Sequence, residues 1–314
     1  MLLSEKQKLQ GIASHTLYTS GEMQECRLNE RNVIHTRYGE FIPQYTIQGF
    51  RKKELKSLSF YRSGNIRSIC LEDQTDVQTP LGVFPAELVT FYEDGSLDSV
   101  FPLNGQIGFG WSEAEEAALA GKYNFDFPFA KFSAKIIGLR FYASGKLKSL
   151  TLWPGEEIRI KTPLGEYPAR IGFKLYENGS LESFEPASPV IVETPIGPVK
   201  TFDTAALAID ASVNSVQFDR QGGVAHLVTS GDIVVLGADG TETVFSSRQK
   251  LGLMDDTVLK VPIDLFFNGD TVLIDNGAKA ASFAINKNRF TVSTDFDMSG
   301  LMCDGNCDGC TGCI

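Results

Sequence analysis

The chain has little of what marks several common classes of protein. No window approaches the roughly 20 consecutive apolar residues that span a bilayer as a helix, and the first ten residues hold no apolar core of the kind a signal peptide needs. Both gaps predict a cytoplasmic protein. Basic charge is also short: 29 lysines and arginines face 39 aspartates and glutamates, a formal charge of −10. Nucleic acid and anionic membrane both call for a basic surface, so neither is an expected partner. The one basic triplet, Arg51-Lys52-Lys53, reads as a solvated turn or strand end. The three histidines, His15, His35 and His226, share no ligand spacing, and no Gly-x-Ser-x-Gly elbow, phosphate-binding loop or dinucleotide fingerprint occurs. Cys26 and Cys70 stand alone and read as buried apolar positions, while the other four cysteines crowd into the last dozen residues. A secreted disulfide framework would spread its cysteines through the fold.

What the chain does have is a repeated phrase. An aromatic pair, two residues, a glycine, an apolar residue and a serine recur as Phe60-Tyr61 to Ser68, Phe91-Tyr92 to Ser99, Phe141-Tyr142 to Ser149 and Leu175-Tyr176 to Ser183. Leu17 to Met23 is a looser copy and Phe218 to Gly222 a worn one. Period-two alternation around a Ser-Gly, Asp-Gly or Asn-Gly turn predicts a β-hairpin, with the glycine supplying the positive φ of the turn. A second phrase interleaves with the first: Thr79-Pro80-Leu81-Gly82, Thr162-Pro163-Leu164-Gly165 and Thr194-Pro195-Ile196-Gly197, with Arg37 to Pro43 as a degenerate copy. Proline presets φ at the first turn position of this second hairpin.

The glycines of the first phrase stand at 21, 64, 95, 145, 179 and 222, so alternate copies lie about 74 to 84 residues apart. That spacing predicts a larger duplicated unit holding two copies. A single hairpin is marginal in water, so successive hairpins are expected to share one core. The longest gap contains a helix signature: Ser112 and Glu115 fit a capping box, strong helix formers run from Glu113 to Ala120, and Gly121 is placed to end it. Glu113, Glu115 and Glu116 read as first-turn acids that favour the helix dipole. Trp111 and Trp153 read as core or sheet-face positions.

The expected fold is all-β, with repeated hairpins forming a solenoid-like or extended, curled sheet and one short helical insertion. Its expected divisions are a lead-in over 1–14, a hairpin repeat region over 15–230, a divergent β cap over 231–298, where the phrase is lost, and a cysteine-rich tail over 299–314. The aromatic-x-x-Gly-x-Leu phrase resembles the MORN repeat, in the variant found in bacterial antitoxin-like repeat proteins. Phe141 to Lys148 and Leu175 to Glu182 are the segments most similar to its units. The resemblance implies a sheet of successive hairpins and a binding or scaffold role, with no shared catalytic residue.

The tail carries the one chemical motif. Cys303, Cys307, Cys310 and Cys313 stand at Cys-x3-Cys-x2-Cys-x2-Cys among glycines. Four thiols so close together suit a soft metal or an iron–sulfur cluster, and the spacing resembles bacterial ferredoxin runs with the longer gap moved to the front. Zinc is the alternative, since four thiolates make a closed structural site. The leading reading is therefore a non-enzymatic scaffold or binding protein that meets a protein partner and carries a metal or iron–sulfur centre. The alternatives are an electron-transfer protein that uses the tail cluster, and a carrier or substrate whose tail a partner enzyme modifies.

Overall fold

The structure, a computed structural model, describes residues 9–47, 49–53, 55–203, 206, 214–251 and 258–293. The fold is all-β and antiparallel, with one α-helix among the described residues. The chain divides into two compact units, one of Met1–Ser188 with Leu207–Gly223, the other of Pro189–Ala206 with Val224–Ile314.

The first unit is a meander in which each strand pairs with the next. Its strands are β1 (Ile12–Leu17), β2 (Met23–Leu28), β3 (Leu58–Phe60), β4 (Ile66–Thr79), β5 (Gly82–Phe91), β6 (Leu97–Phe101), β7 (Ala130–Phe141), β8 (Leu147–Leu152), β9 (Gly165–Leu175), β10 (Leu181–Pro186) and β11 (Val216–Phe218). The first phrase makes the turns at one end of this sheet. In each copy the second aromatic residue donates its N–H to the carbonyl four residues on, and the glycine donates back, as in Tyr92 N to Ser96 O and Gly95 N to Tyr92 O, both 2.8 Å. The glycines take φ of 79° to 99°. The pairing register slips by one residue beside each of the first five turns, as between Thr90 and Phe91. A left-handed glycine with a one-residue bulge is the three-residue hairpin loop, not the two-residue turn.

The second phrase makes a second set of hairpins, three in this unit and one, at Thr194, in the other. In all four copies the threonine hydroxyl donates to the glycine carbonyl and accepts the N–H two residues on. Thr79 does so to Gly82 at 2.7 Å and from Leu81 at 3.1 Å, with Thr36, Thr162 and Thr194 alike. The degenerate copy at Arg37 therefore keeps the full geometry. Long strands serve both sets: β9 pairs with Ile158–Thr162 in its first half and with β8 in its second. At the changeover Ile171 takes a φ of 61°, rare for a β-branched residue, beside Gly172 at 130°.

The core of this unit is a cross-strand row on one face. Cys26, Leu58, Ile69, Val89 and Val100 stand opposite one another in turn, and Leu139, Leu150, Phe173, Phe184 and Val216 continue the row across the remaining strands. All ten are at most 2% exposed. The hairpin Lys122–Phe127 with Ala130–Lys135 brings Phe127, Phe129 and Phe132 against the Phe173 ring, edge-on at 5.0 to 6.5 Å. Cys26 and Cys70 are buried, as the sequence suggests.

In the second unit, Val224–Thr229, Ile263–Asn268, Thr271–Asp275 and Ala280–Ala284 form one antiparallel sheet and Ile233–Gly237, Glu242–Phe245 and Asn288–Val292 another. Val258–Val261 and Ile263–Asn268 are separate strands, parted at Pro262, which has no N–H for a ladder. The first phrase is absent here in sequence, but its turn geometry recurs once. Gly237 N donates to Thr241 O and Gly240 N to Gly237 O at 2.8 and 3.0 Å, the same turn without the aromatic pair.

Candidate functional site

The four tail cysteines, Cys303, Cys307, Cys310 and Cys313, lie outside the described residues, as do residues 1–8 of the expected lead-in over 1–14. Among the described residues no group of three or more His, Cys, Asp or Glu side chains is placed to hold a metal ion. No described helix is long and apolar enough to cross a membrane. The histidines stay apart: His35 meets Glu40 at an exposed site, and His226 meets Asp264 through Nε2 at 2.8 Å.

One residue from the apolar row, on the opposite face by strand alternation, runs a polar one. Glu25, Ser59, Ser68, Thr90, Ser99 and Arg140 stand opposite one another in turn, and Ser149, Lys174, Ser183 and Gln217 continue the row. Four of its serines are the last residue of the repeated phrase. The bulge at each turn sets this register, since it decides which residue faces which neighbour. Ser59 and Ser68 share a 2.5 Å hydrogen bond, and Thr90 and Ser99 both donate to Asp98 Oδ2 at 2.9 and 3.1 Å. The Ser149 hydroxyl is buried with no hydrogen-bond partner among the described residues.

The first half of this row is the floor of a groove of about 410 Å³. Tyr18, Tyr61 and Tyr92 line it at the turns, and Leu88 and Phe101 line it beside the floor. The tyrosines are held by a ladder. Each donates its hydroxyl to the backbone carbonyl of the residue that opens the next phrase: Tyr18 to Phe60, Tyr61 to Phe91, Tyr92 to Phe141, Tyr142 to Leu175 and Tyr176 to Phe218, all at 2.8 to 2.9 Å. Position 219 is aspartate, and the ladder stops there. Burial first, with the nearby Asp98 charge second, pushes the Tyr92 phenol up to about 12. Arg67 lies over the Tyr61 ring at 5.9 Å, and Lys56 approaches Glu25 at 3.9 Å.

Neither family models, curated proteins nor solved structures match this chain. What the chain does must be read from its own geometry.

A second cluster corrects the reading of the basic triplet and of Glu116. Arg51 is not solvated. Its guanidinium bridges Glu87 and Glu116 with four hydrogen bonds of 2.7 to 2.8 Å. Lys53 is buried too, donating Nζ to the Leu71 and Glu72 carbonyls. Glu116 sits on α1 (Glu113–Leu119), where the capping box of Ser112 and Glu115 forms as expected. Its own side chain turns inward, 3% exposed, and accepts also from Trp111 Nε1 at 2.8 Å and Gly105 N at 2.9 Å. Burial pushes the Glu116 carboxyl up, but the hydrogen bonds from Arg51 and Trp111 and the Arg51 charge outweigh it and hold the group below its ordinary range. Glu116, in the first helical turn, thus also ties the insertion through Arg51 to Glu87 on β5. Trp111 lies on the insertion and off the sheet. Ala120 ends the helix by turning extended at ψ 121°, without the left-handed glycine expected at 121.

Proposed function

We propose that this chain is a non-enzymatic binding protein of the cytoplasm. In this reading a platform of β-hairpins, of the kind that MORN-type repeats build, meets a protein partner. Cys303, Cys307, Cys310 and Cys313 hold an iron–sulfur cluster, or zinc as the alternative. The observation that carries the platform reading is the tyrosine ladder. The turn glycines, tyrosine hydroxyls and threonine hydroxyls that repeat in the sequence are engaged inside the fold, so the repetition has a structural cause. Cys26 and Cys70 are buried and form no disulfide among the described residues, which agrees with a reducing compartment. The tail reading rests on ligand type and density: four soft donors within eleven residues.

Anaerobic purification followed by a visible spectrum and iron, sulfide and zinc analysis tests the tail. Visible charge-transfer bands that vanish in a Cys307→Ser, Cys310→Ser variant support the cluster. One equivalent of zinc without colour supports the structural alternative. Metal-free protein from both anaerobic and zinc-supplemented growth overturns both.

A further inference from the structure

We propose that the groove on the first unit binds a linear saccharide. The proposal rests on the reading of the chain as a binding protein and names the ligand class of its groove.

The floor of the groove is made of hydroxyls: Ser59, Ser68, Thr90 and Ser99 in one cross-strand row. Serine is a poor choice for strand stability alone, because strands favour β-branched and aromatic residues. A small side chain repeated at this register leaves a furrow where larger ones would fill it. Hydroxyls both give and accept hydrogen bonds, as do the hydroxyls of a sugar. A peptide backbone offers one-way donors and acceptors instead. The walls suit the other side of a sugar. Pyranose rings have apolar C–H faces, and Phe101, Leu88 and the rings of Tyr61 and Tyr92 line the groove beside the polar floor. Phe101 lies close against Gly138, where an added Cβ would come within 2.8 Å of its ring. Gly138 thereby lets the wall stand where it does.

The volume, about 410 Å³, falls within the range of small-molecule sites. The tyrosines recur every second strand, about 9.5 Å apart, a step on the scale of two sugar rings. Among the described residues Arg67 meets the Tyr61 ring and no carboxylate, so a uronate group on the saccharide would find a cation at the rim.

The test is calorimetric titration of the full chain with cellotetraose, maltotetraose and tetragalacturonate. The expected result is saturable binding of at least one. Thr90→Val and Arg67→Ala each weaken it about fivefold or more, the loss expected of one hydrogen bond, while Arg159→Ala on the distant hairpin leaves it unchanged. Preference for tetragalacturonate that Arg67→Ala abolishes places the uronate at the rim; equal binding of a neutral tetrasaccharide places the recognition on the hydroxyl floor. No saturation by any of the three at millimolar concentration overturns the proposal. Binding that both groove variants retain in full also overturns it. A metal-loaded tail on a chain that binds no saccharide removes the ligand class and leaves the binding-protein reading standing.

Discussion

Tyr92 donates its hydroxyl to the Phe141 carbonyl at 2.8 Å, and four other tyrosines do the same one repeat apart. Removing this hydroxyl in Tyr92→Phe leaves a carbonyl short of its donor, which costs about 1 kcal/mol. Denaturant unfolding at neutral pH measures it. The pH dependence has a definite sign. Burial and the Asp98 charge raise the folded Tyr92 phenol to about 12, above the unfolded value near 10. Its contribution is whole below pH 10 and is lost as pH rises toward 12. Stability should fall over that window, and less steeply in Tyr92→Phe. Gly64 gives a cleaner case of backbone strain. Its φ is 81° and no atom lies within 4 Å of a Cβ placed there. Gly64→Ala should therefore cost about 1 kcal/mol through conformation alone, and Gly64→Asn less, since asparagine tolerates that region. Equal midpoints for wild type and Gly64→Ala would contradict the turn geometry.

At the scale of elements, the helical insertion is fastened by Arg51, Glu87 and Glu116. Arg51→Met leaves two buried carboxylates facing each other and should destabilise by about 3 kcal/mol or more. Neutralising all three as Glu87→Gln, Arg51→Met and Glu116→Gln should recover part of that loss. Because Glu116 titrates below its ordinary range, its contribution is present above the unfolded carboxylate value near 4.3. It is lost as pH falls through the lower, folded one. Trp111 reports this directly: with Trp153→Phe as background, its emission should shift at acid pH, and already at neutral pH in Arg51→Met.

This cluster also shows where the sequence stops being legible. The capping box spans Ser112 to Glu115 and can be read from its spacing, as can hairpin turns whose glycine and proline act within four residues. Arg51 meets Glu87 and Glu116 across 36 and 65 residues, and no local pattern marks such a pair. The polar row is hidden for a related reason. Its register depends on a bulge at each turn, and a shift by one residue would put Ser68 and Ser99 on the other face. The turn at Gly237 repeats the phrase's geometry without its marker, because its hydrogen bonds need the glycine and not the aromatic pair.

For the whole molecule, the proposed reading puts architecture and chemistry in separate parts of the chain. The two cross-strand rows, apolar on one face and polar on the other, give the repeats a core that holds the sheet and, in the proposed reading, a furrow that meets a ligand. The cysteine motif lies outside the described residues, and the two rows named here end at Val216 and Gln217 on β11. Changing the tail should accordingly alter metal content without altering the stability of the sheet. The most direct measurement compares the anaerobically purified chain with its Cys303→Ser, Cys307→Ser, Cys310→Ser, Cys313→Ser variant, recording metal and sulfide content and the denaturant midpoint of each. The expected outcome is a metal-bearing wild type, a metal-free variant and stabilities that agree within about 0.5 kcal/mol, the spread typical of changes away from the core. A wild type that takes up no metal, or a variant whose midpoint falls well below the wild type, would refute this division of labour.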